Sequence, residues 1–316
     1  MKRSEANHHG ILLVDKPVGM SSHDVVDRVR RLFVQKAVGH AGTLDPAAEG
    51  LLVIMLGKGT KAASYLVNED KEYEAEVRLG IESPTYDREG VTDDAQLTPV
   101  PLLTEQELER ILALFRGAIT QKVPPFSAVH VNGERLYRKS RRGEEVTVPE
   151  RNVIIETLDL VSHDTDRLRL KVVCSKGTYI RSLAHEIGGR VGCGGYLAAL
   201  CRTRCGRFRL DESHTLDQLA IARDQGRLAE LVMPIDRALG FSAVTVADSF
   251  YSHAIHGRRP KACDISAVIG EFRSGDHILL RDTRGCVLAI ATAVVASGAL
   301  AANPESEVLK YDRVLV

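Results

Sequence analysis

Gly39-His40-Ala41-Gly42-Thr43-Leu44-Asp45-Pro46 opens a glycine-rich stretch that ends at Gly50 and feeds the apolar residues 51–56. Glycine lets a backbone approach a ligand closely, and a proline holds the residue before it, here Asp45, extended. A loop presenting an acid at the start of a buried strand suits a catalytic or binding centre. The same residues also suit an ordinary Asp-Pro turn. On these residues alone both readings stand.

Working outward, residues 11–14 read as a short buried strand, and Asp15-Lys16-Pro17-Val18-Gly19 as a turn. Ser21 or Ser22 can cap an amphipathic helix carrying Val25, Val26, Val29, Leu32 and Phe33. Downstream, residues 72–81 alternate charged and apolar side chains, as a strand with one exposed face does. Thr104-Glu105-Gln106-Glu107 forms a capping box before the stripe Leu108, Ile111, Leu112 and Phe115, and Gly117 ends that helix. Asn132-Gly133 is a hairpin signal, residues 167–174 alternate again, and a helix holding Ile180, Leu183, Ala184 and Ile187 follows. Residues 216–231 predict one more helix, ended before Pro234. From Phe241 onward, short apolar runs are separated by Gly, Pro and Asp. We therefore expect two domains, 1–240 and a small all-β domain at 241–316. Strands and helices follow no strict βαβ order, which favours the α+β class.

At 316 residues and 44% hydrophobic, the chain can bury a proper core. Residues 1–10 lack an apolar stretch, and the longest apolar run, 286–302, is broken by Thr292, Ser297 and Gly298. Strand-turn-strand is the expected reading of that run, with no membrane span and a cytoplasmic location. The six cysteines show no CxxC spacing, so neither a zinc site nor a disulfide framework is indicated. Cys201 and Cys205 would share a helix face if their segment were helical. No Walker A, strand-to-helix GxGxxG, GxSxG or HExxH pattern occurs, so no cofactor and no metal are expected.

Lys+Arg and Asp+Glu both number 42, so only segregated basic residues could attract a polyanion. Arg202, Arg204, Arg207 and Arg209 lie together without an acidic neighbour. Arg135, Arg138, Lys139, Arg141 and Arg142 follow the hairpin signal, and Arg258-Arg259-Pro260-Lys261 make a third cluster. Acids collect at 69–94. The pattern predicts a phosphate-tracking surface with steep salt dependence, with solvated charged faces as the alternative.

Extended through Ala47-Ala48-Glu49-Gly50-Leu51-Leu52, the opening loop resembles the catalytic motif of the TruB family of tRNA pseudouridine synthases. Asp15-Lys16-Pro17-Val18-Gly19-Met20-Ser21-Ser22 resembles the family's first motif, and Lys71-Glu72-Tyr73 with Leu79-Gly80 its tyrosine strand. Cys174-Ser175-Lys176-Gly177-Thr178-Tyr179-Ile180-Arg181 resembles its arginine motif, residues 124–143 its RNA-gripping thumb, and the tail a PUA domain. Thr43-Leu44-Asp45, rather than Arg-Leu-Asp, points to this branch of the synthases. Departures are few: Val123, His130, Glu186 and Cys201 stand where the family often has Pro, Lys, Asp and Arg.

The resemblance implies a mixed, mostly antiparallel central sheet flanked by helices, a thumb at about 120–150, and a C-terminal β-barrel-like PUA domain. It implies isomerisation of uridine 55 in the T-loop of tRNA to pseudouridine, on a flipped-out base. Asp45 would be the nucleophile, or the charge that steadies C1′, with Arg181 pairing to it. Tyr73 would stack on the extruded uracil and Tyr179 line the pocket. His40 would fill the gap left by the base, although a turn cap is its plain alternative. Lys16, Arg138, Arg141, Arg142 and Arg202 would hold RNA. The implied partner is the tRNA T-arm alone, bound by a monomer without an obligate protein partner. A tRNA chaperone and a guide-RNA-dependent synthase are the competing functions.

Overall fold

The apolar runs at 11–14 and 51–56 are strands buried on both faces. Leu12, Val14, Leu52, Ile54 and Leu56 pack to one side, while Ile11, Leu13, Leu51, Val53 and Met55 pack to the other. That is why both run apolar without alternation. The computed structural model describes residues 8–127, 129–131, 133–142, 144 and 148–315.

The chain begins with β1 (Gly10–Lys16), α1 (Ser22–Phe33), β2 (Val38–Ala41), β3 (Glu49–Leu56), α2 (Ala63–Leu66) and β4 (Lys71–Leu79). Next come α3 (Glu105–Ala113), β5 (Gly117–Lys122), β6 (His130–Val131), β7 (Glu134–Arg135) and α4 (Leu136–Arg141). There follow β8 (Glu150–His163), β9 (Arg167–Cys174), α5 (Ile180–Val191), β10 (Gly195–Cys205), β11 (Phe208–Arg209), β12 (His214–Thr215), α6 (Leu216–Asp224) and α7 (Ile235–Leu239). The last part holds β13 (Ala243–Val246), α8 (Tyr251–Ile255), β14 (Ile265–Ile269), β15 (His277–Arg281), β16 (Val287–Ala293) and β17 (Leu309–Val314).

The central sheet runs β12-β1-β3-β10-β4-β9-β8-β5, with β2 added to β3 and β11 to β10. Only the β1–β12 and β3–β10 pairings are parallel, so the sheet is mixed and mostly antiparallel, as expected. Helices α1 and α6 cover one face of its β1–β3 half. In the other half, α3 and α5 cover the face bearing Tyr73, Ala75, Val77 and Leu79, and Leu44 and Ala48 join that core. The acid-bearing loop is thus anchored where the two halves of the sheet meet.

Beyond Gly240 a second sheet, β14-β13-β15-β16-β17, closes over its own core. It does not hang free. Ala243, Leu279, Ile290 and Leu315 share a core with Ile11 and Leu13 of β1, and Arg281 pairs with Asp236 at 2.8 Å.

Several local expectations need correction. The helix expected at 216–231 stops at Asp224, because Gly226 takes a φ of 72° and the chain restarts as a 3-10 turn at Leu228–Leu231. The run 286–302 is one strand and then a 3-10 turn, Ser297–Ala302, which does not extend the sheet. Cys201 and Cys205 lie on β10 and share no helix face. The first part of the stretch read as a loop, 39–41, is paired as β2 with β3.

Candidate active site

Ser21 caps α1 in a box with Asp24. That leaves the buried hydroxyl of Ser22 to accept from the Leu44 N–H at 2.8 Å and donate to the Leu44 carbonyl at 2.9 Å. Gly19 N–H donates to the Pro46 carbonyl at 2.8 Å, and Ala48 N–H to the Asp45 carbonyl at 3.1 Å. With Leu44 and Ala48 each 3% exposed, the loop is pinned on both sides of Asp45. Its carboxylate alone projects.

It projects toward Arg181. Nε of Arg181 lies 3.0 Å from Asp45 Oδ2, with the arginine side chain 8% exposed and the aspartate side chain 45%. The N–H is not aligned along that contact, so this is an ion pair and not a well-directed hydrogen bond. The rest of the guanidinium is occupied. Nη1 reaches Asp87 Oδ2 and the Thr85 carbonyl, both at 3.2 Å, and Nη2 donates to the Phe126 carbonyl at 3.1 Å. One arginine therefore holds the acid loop, the 83–90 turn and the segment at Phe126 together.

Arg181 owes its place to α5, whose Leu183, Ala184 and Ile187 are buried, and to Gly188, where a Cβ would fall 2.3 Å from the Gly195 nitrogen. Gln121 of β5 fixes the start of that helix, accepting from Tyr179 N–H at 2.7 Å and donating to its carbonyl at 3.0 Å. Asp87 is equally fixed: Thr85 Oγ1 donates to Oδ1 at 2.5 Å and Glu89 N–H at 3.0 Å. Its neighbour Tyr86 is held in the left-handed region, φ 63°, and stacks on His185 of α5 at 3.9 Å. Such a backbone costs about 1–3 kcal/mol and persists only where its surroundings enforce it.

Tyr73 is buried on β4, 8% exposed, in the core shared by Leu44 and Ala48. Burial pushes its phenol up to about 12, so it carries its proton at neutral pH. Tyr179 is half-buried as the residue before α5, its phenol also raised by burial. His40 sits on β2, half-buried, and burial followed by the charge of Arg202 holds its imidazole below the usual range. Asp45 and Arg181 are brought together, then, while Tyr73 packs beneath their loop.

Two residues expected at RNA are inside the protein. Lys16 is 0% exposed and donates to the carbonyls of Pro17 at 3.0 Å and Met20 at 2.5 Å. Arg202 is 1% exposed and donates to the carbonyls of Leu51 at 2.8 Å and Gly42 at 3.1 Å. Neither cation faces solvent, because each is spent on loop carbonyls.

The other basic clusters are diluted in space. Arg209 meets Asp211 at 3.5 Å, Arg259 meets Glu307 at 2.8 Å, and Lys261 meets Glu305 at 2.5 Å. After the Asn132-Gly133 signal, Arg142 forks onto both oxygens of Glu134 at 2.8 and 2.9 Å and reaches Glu144 at 2.6 Å. Arg138 is exposed. Arg141 ends α4, and its side chain lies outside the described residues.

Asp45, Asp87 and Arg181 line a crevice with Ala47, Ala48 and residues 197–200 of β10, of about 10 Å³. That is space for about one water. Sequence reading missed Asp87, Ser22, Gln121 and the Phe126 carbonyl. No cluster of metal-ligating side chains occurs among the described residues. Nor is any helix among them long and apolar enough to cross a membrane.

Residues 30–180 match the family model "TruB family pseudouridylate synthase (N terminal domain)", and residues 181–240 match "tRNA pseudouridylate synthase B C-terminal domain". A protein of Francisella tularensis subsp. novicida named tRNA pseudouridine synthase B is 40% identical over 264 residues, 82% of this chain and 87% of that protein. Its namesake in Francisella philomiragia subsp. philomiragia is 44% identical over 231 residues, 73% of this chain and 76% of that one. Among solved structures, a chain of the archaeal box H/ACA sRNP Nop10-Cbf5 complex superposes with a TM-score of 0.71 at 22% identity, covering 98% of this chain and 86% of that chain. A chain of an H/ACA RNP bound to a substrate RNA containing 2′-deoxyuridine gives 0.71 at 20%, covering 100% and 92%. At such identities the two structures speak for the fold.

Proposed function

Since the chain belongs to the TruB family of pseudouridylate synthases, we propose that it isomerises uridine 55 in the T-loop of tRNA to pseudouridine, with Asp45 as nucleophile. The observation that carries this reading is the pinned Asp45 carboxylate 3.0 Å from the buried guanidinium of Arg181.

The reaction breaks the bond from N1 of uracil to C1′ of ribose, turns the base, and rejoins it through C5, which gives up its proton while N1 takes one up. Nothing is oxidised and no group is imported, so side chains suffice. Arg181 and the Leu44–Ala48 anchors keep the carboxylate in one place, which lowers the cost of reaching the sugar carbon. The base must leave its stack to meet it. With its side chain 45% exposed, Asp45 stands open to a base arriving from solvent. Tyr73, protonated at neutral pH, offers an aromatic face and a proton donor beneath the loop. The second sheet, as a PUA domain, would extend the RNA contact. The enzyme would work as a cytoplasmic monomer on tRNA alone.

A bare, unmodified T-arm hairpin tests this directly. Pure protein should convert its uridine with no other RNA present. Conversion only after a guide RNA is added would remove the stand-alone reading.

The thumb gives a second test. Replacing Arg138, Arg141 and Arg142 with alanine should weaken RNA binding and flatten the log Kd against log salt slope by about two units, roughly one per lost phosphate contact. Arg142→Ala alone should contribute least, since Glu134 and Glu144 already hold its charge. An unchanged slope in the triple variant would make the segment solvated surface.

A further inference from the structure

A buried guanidinium with no carboxylate is an expensive thing to fold around. Arg202 is that group: 1% exposed, and in no ion pair among the described residues. We propose that Arg202 is a positioning residue for the reaction, tying both ends of the Asp45 loop to the strand that carries Tyr73. The inference rests on the pseudouridine synthase reading given above and extends it to a residue outside the crevice.

Three sets of contacts carry it. Nε donates to the Leu51 carbonyl at 2.8 Å and Nη2 to the Gly42 carbonyl at 3.1 Å, so one side chain spans the loop from before Asp45 to after it. Its backbone is the pairing partner of Gly50 on β3 and of Tyr73 on β4. Its guanidinium also lies close enough to the Tyr73 phenol for its charge to oppose the rise that burial imposes.

The glycines fit the same account. At Gly50, φ is 96° and a Cβ would sit 2.5 Å from the Arg202 carbonyl oxygen. At Gly42, φ is 92° and the Cβ position lies 3.4 Å from Arg202 Nη1. Gly50 lets the loop lie directly against the Arg202 backbone, and Gly42 supplies the positive φ that turns the loop over its guanidinium. An apolar side chain would serve the core alone at less cost. What it could not do is hold two loop carbonyls from one planar fork.

Arg202→Lys and Arg202→Met decide the matter, compared with the unaltered chain on an unmodified tRNA transcript. Single-turnover pseudouridine formation should fall about 10-fold in the lysine variant, which keeps a donor but not the fork. In the methionine variant it should fall about 100-fold, the order expected when a reacting group is misplaced by roughly an ångström. RNA Kd and its salt slope should stay the same in both. The Cζ resonance of Tyr73 in tyrosine-labelled protein should shift in both, a response that loss of stability alone does not produce.

A weaker Kd with a shallower salt slope would return Arg202 to the RNA surface and overturn the proposal. So would full turnover per folded molecule with an unmoved Tyr73 resonance, which leaves a purely structural arginine. Should the methionine variant not fold, the lysine variant carries both readouts. If the unaltered chain makes no pseudouridine, the catalytic reading fails, and an unmoved Tyr73 resonance in the variants would refute the brace separately.

Discussion

Asp45→Asn should abolish pseudouridine formation, lowering the single-turnover rate by at least about 10⁴-fold, the scale on which loss of a nucleophile is felt. The amide keeps the size of the side chain and an acceptor oxygen, but it can neither attack C1′ nor neutralise charge developing there. Binding should survive. The Leu44, Asp45 and Pro46 backbone is held by Ser22, Ala48 and Gly19, none of which contacts the Asp45 carboxylate. Arg181 retains Asp87 at 3.2 Å, so no buried cation is stranded. With the Asp45 side chain 45% exposed, the lost ion pair should cost folding less than about 1 kcal/mol. The measurement is pseudouridine yield alongside RNA Kd and the urea midpoint. Turnover retained by Asp45→Asn would take the residue out of the chemistry. Lost turnover with unchanged RNA binding is also what separates an enzyme from a tRNA chaperone.

How far the residues announced this site depends on whether a residue's partner is near in sequence. The double-faced burial of β1 and β3 is a property of single strands, so apolar runs disclosed it. Likewise Ser21 and Asp24, or Thr104 and Glu107, close their caps within one turn of helix. The Asp45 loop was legible as an acid among glycines, and the resemblance supplied Arg181. Charge was where reading failed. Arg202 and Arg209 sit in one basic run, yet one is inside the sheet and the other pairs with Asp211. The turn at Gly206 puts the two on different strands, β10 and β11, and sequence proximity cannot say which side chain meets solvent. Asp87 was hidden for the mirror reason: it stood among the acids that collect at 69–94, while its partner lies 94 residues away.

That distant pair shapes the second large effect. Arg181→Lys should lower turnover by about 10²- to 10³-fold, the cost of removing a preorganised charge from a reacting centre, with RNA Kd changed less than about threefold. A single ammonium cannot reproduce the three directions in which the guanidinium meets Asp45, Asp87 with the Thr85 carbonyl, and the Phe126 carbonyl. Nearest to replacement is Asp87, the more buried acid, so the lysine should stay with it and leave Asp45 loose. Arg181→Met removes the charge altogether and strands Asp87, 4% exposed, with only Thr85 and Glu89 N–H as donors. Leaving one partner of a buried pair alone costs roughly 3–5 kcal/mol, so this variant should unfold at clearly lower urea than Arg181→Lys. Adding Asp87→Asn to Arg181→Met should recover most of that stability and none of the turnover, because the amide no longer needs a cation while Asp45 still lacks one. Recovery of both would mean that Arg181 only keeps the protein folded. Recovery of neither would mean that the Asp87 charge is not what the arginine offsets.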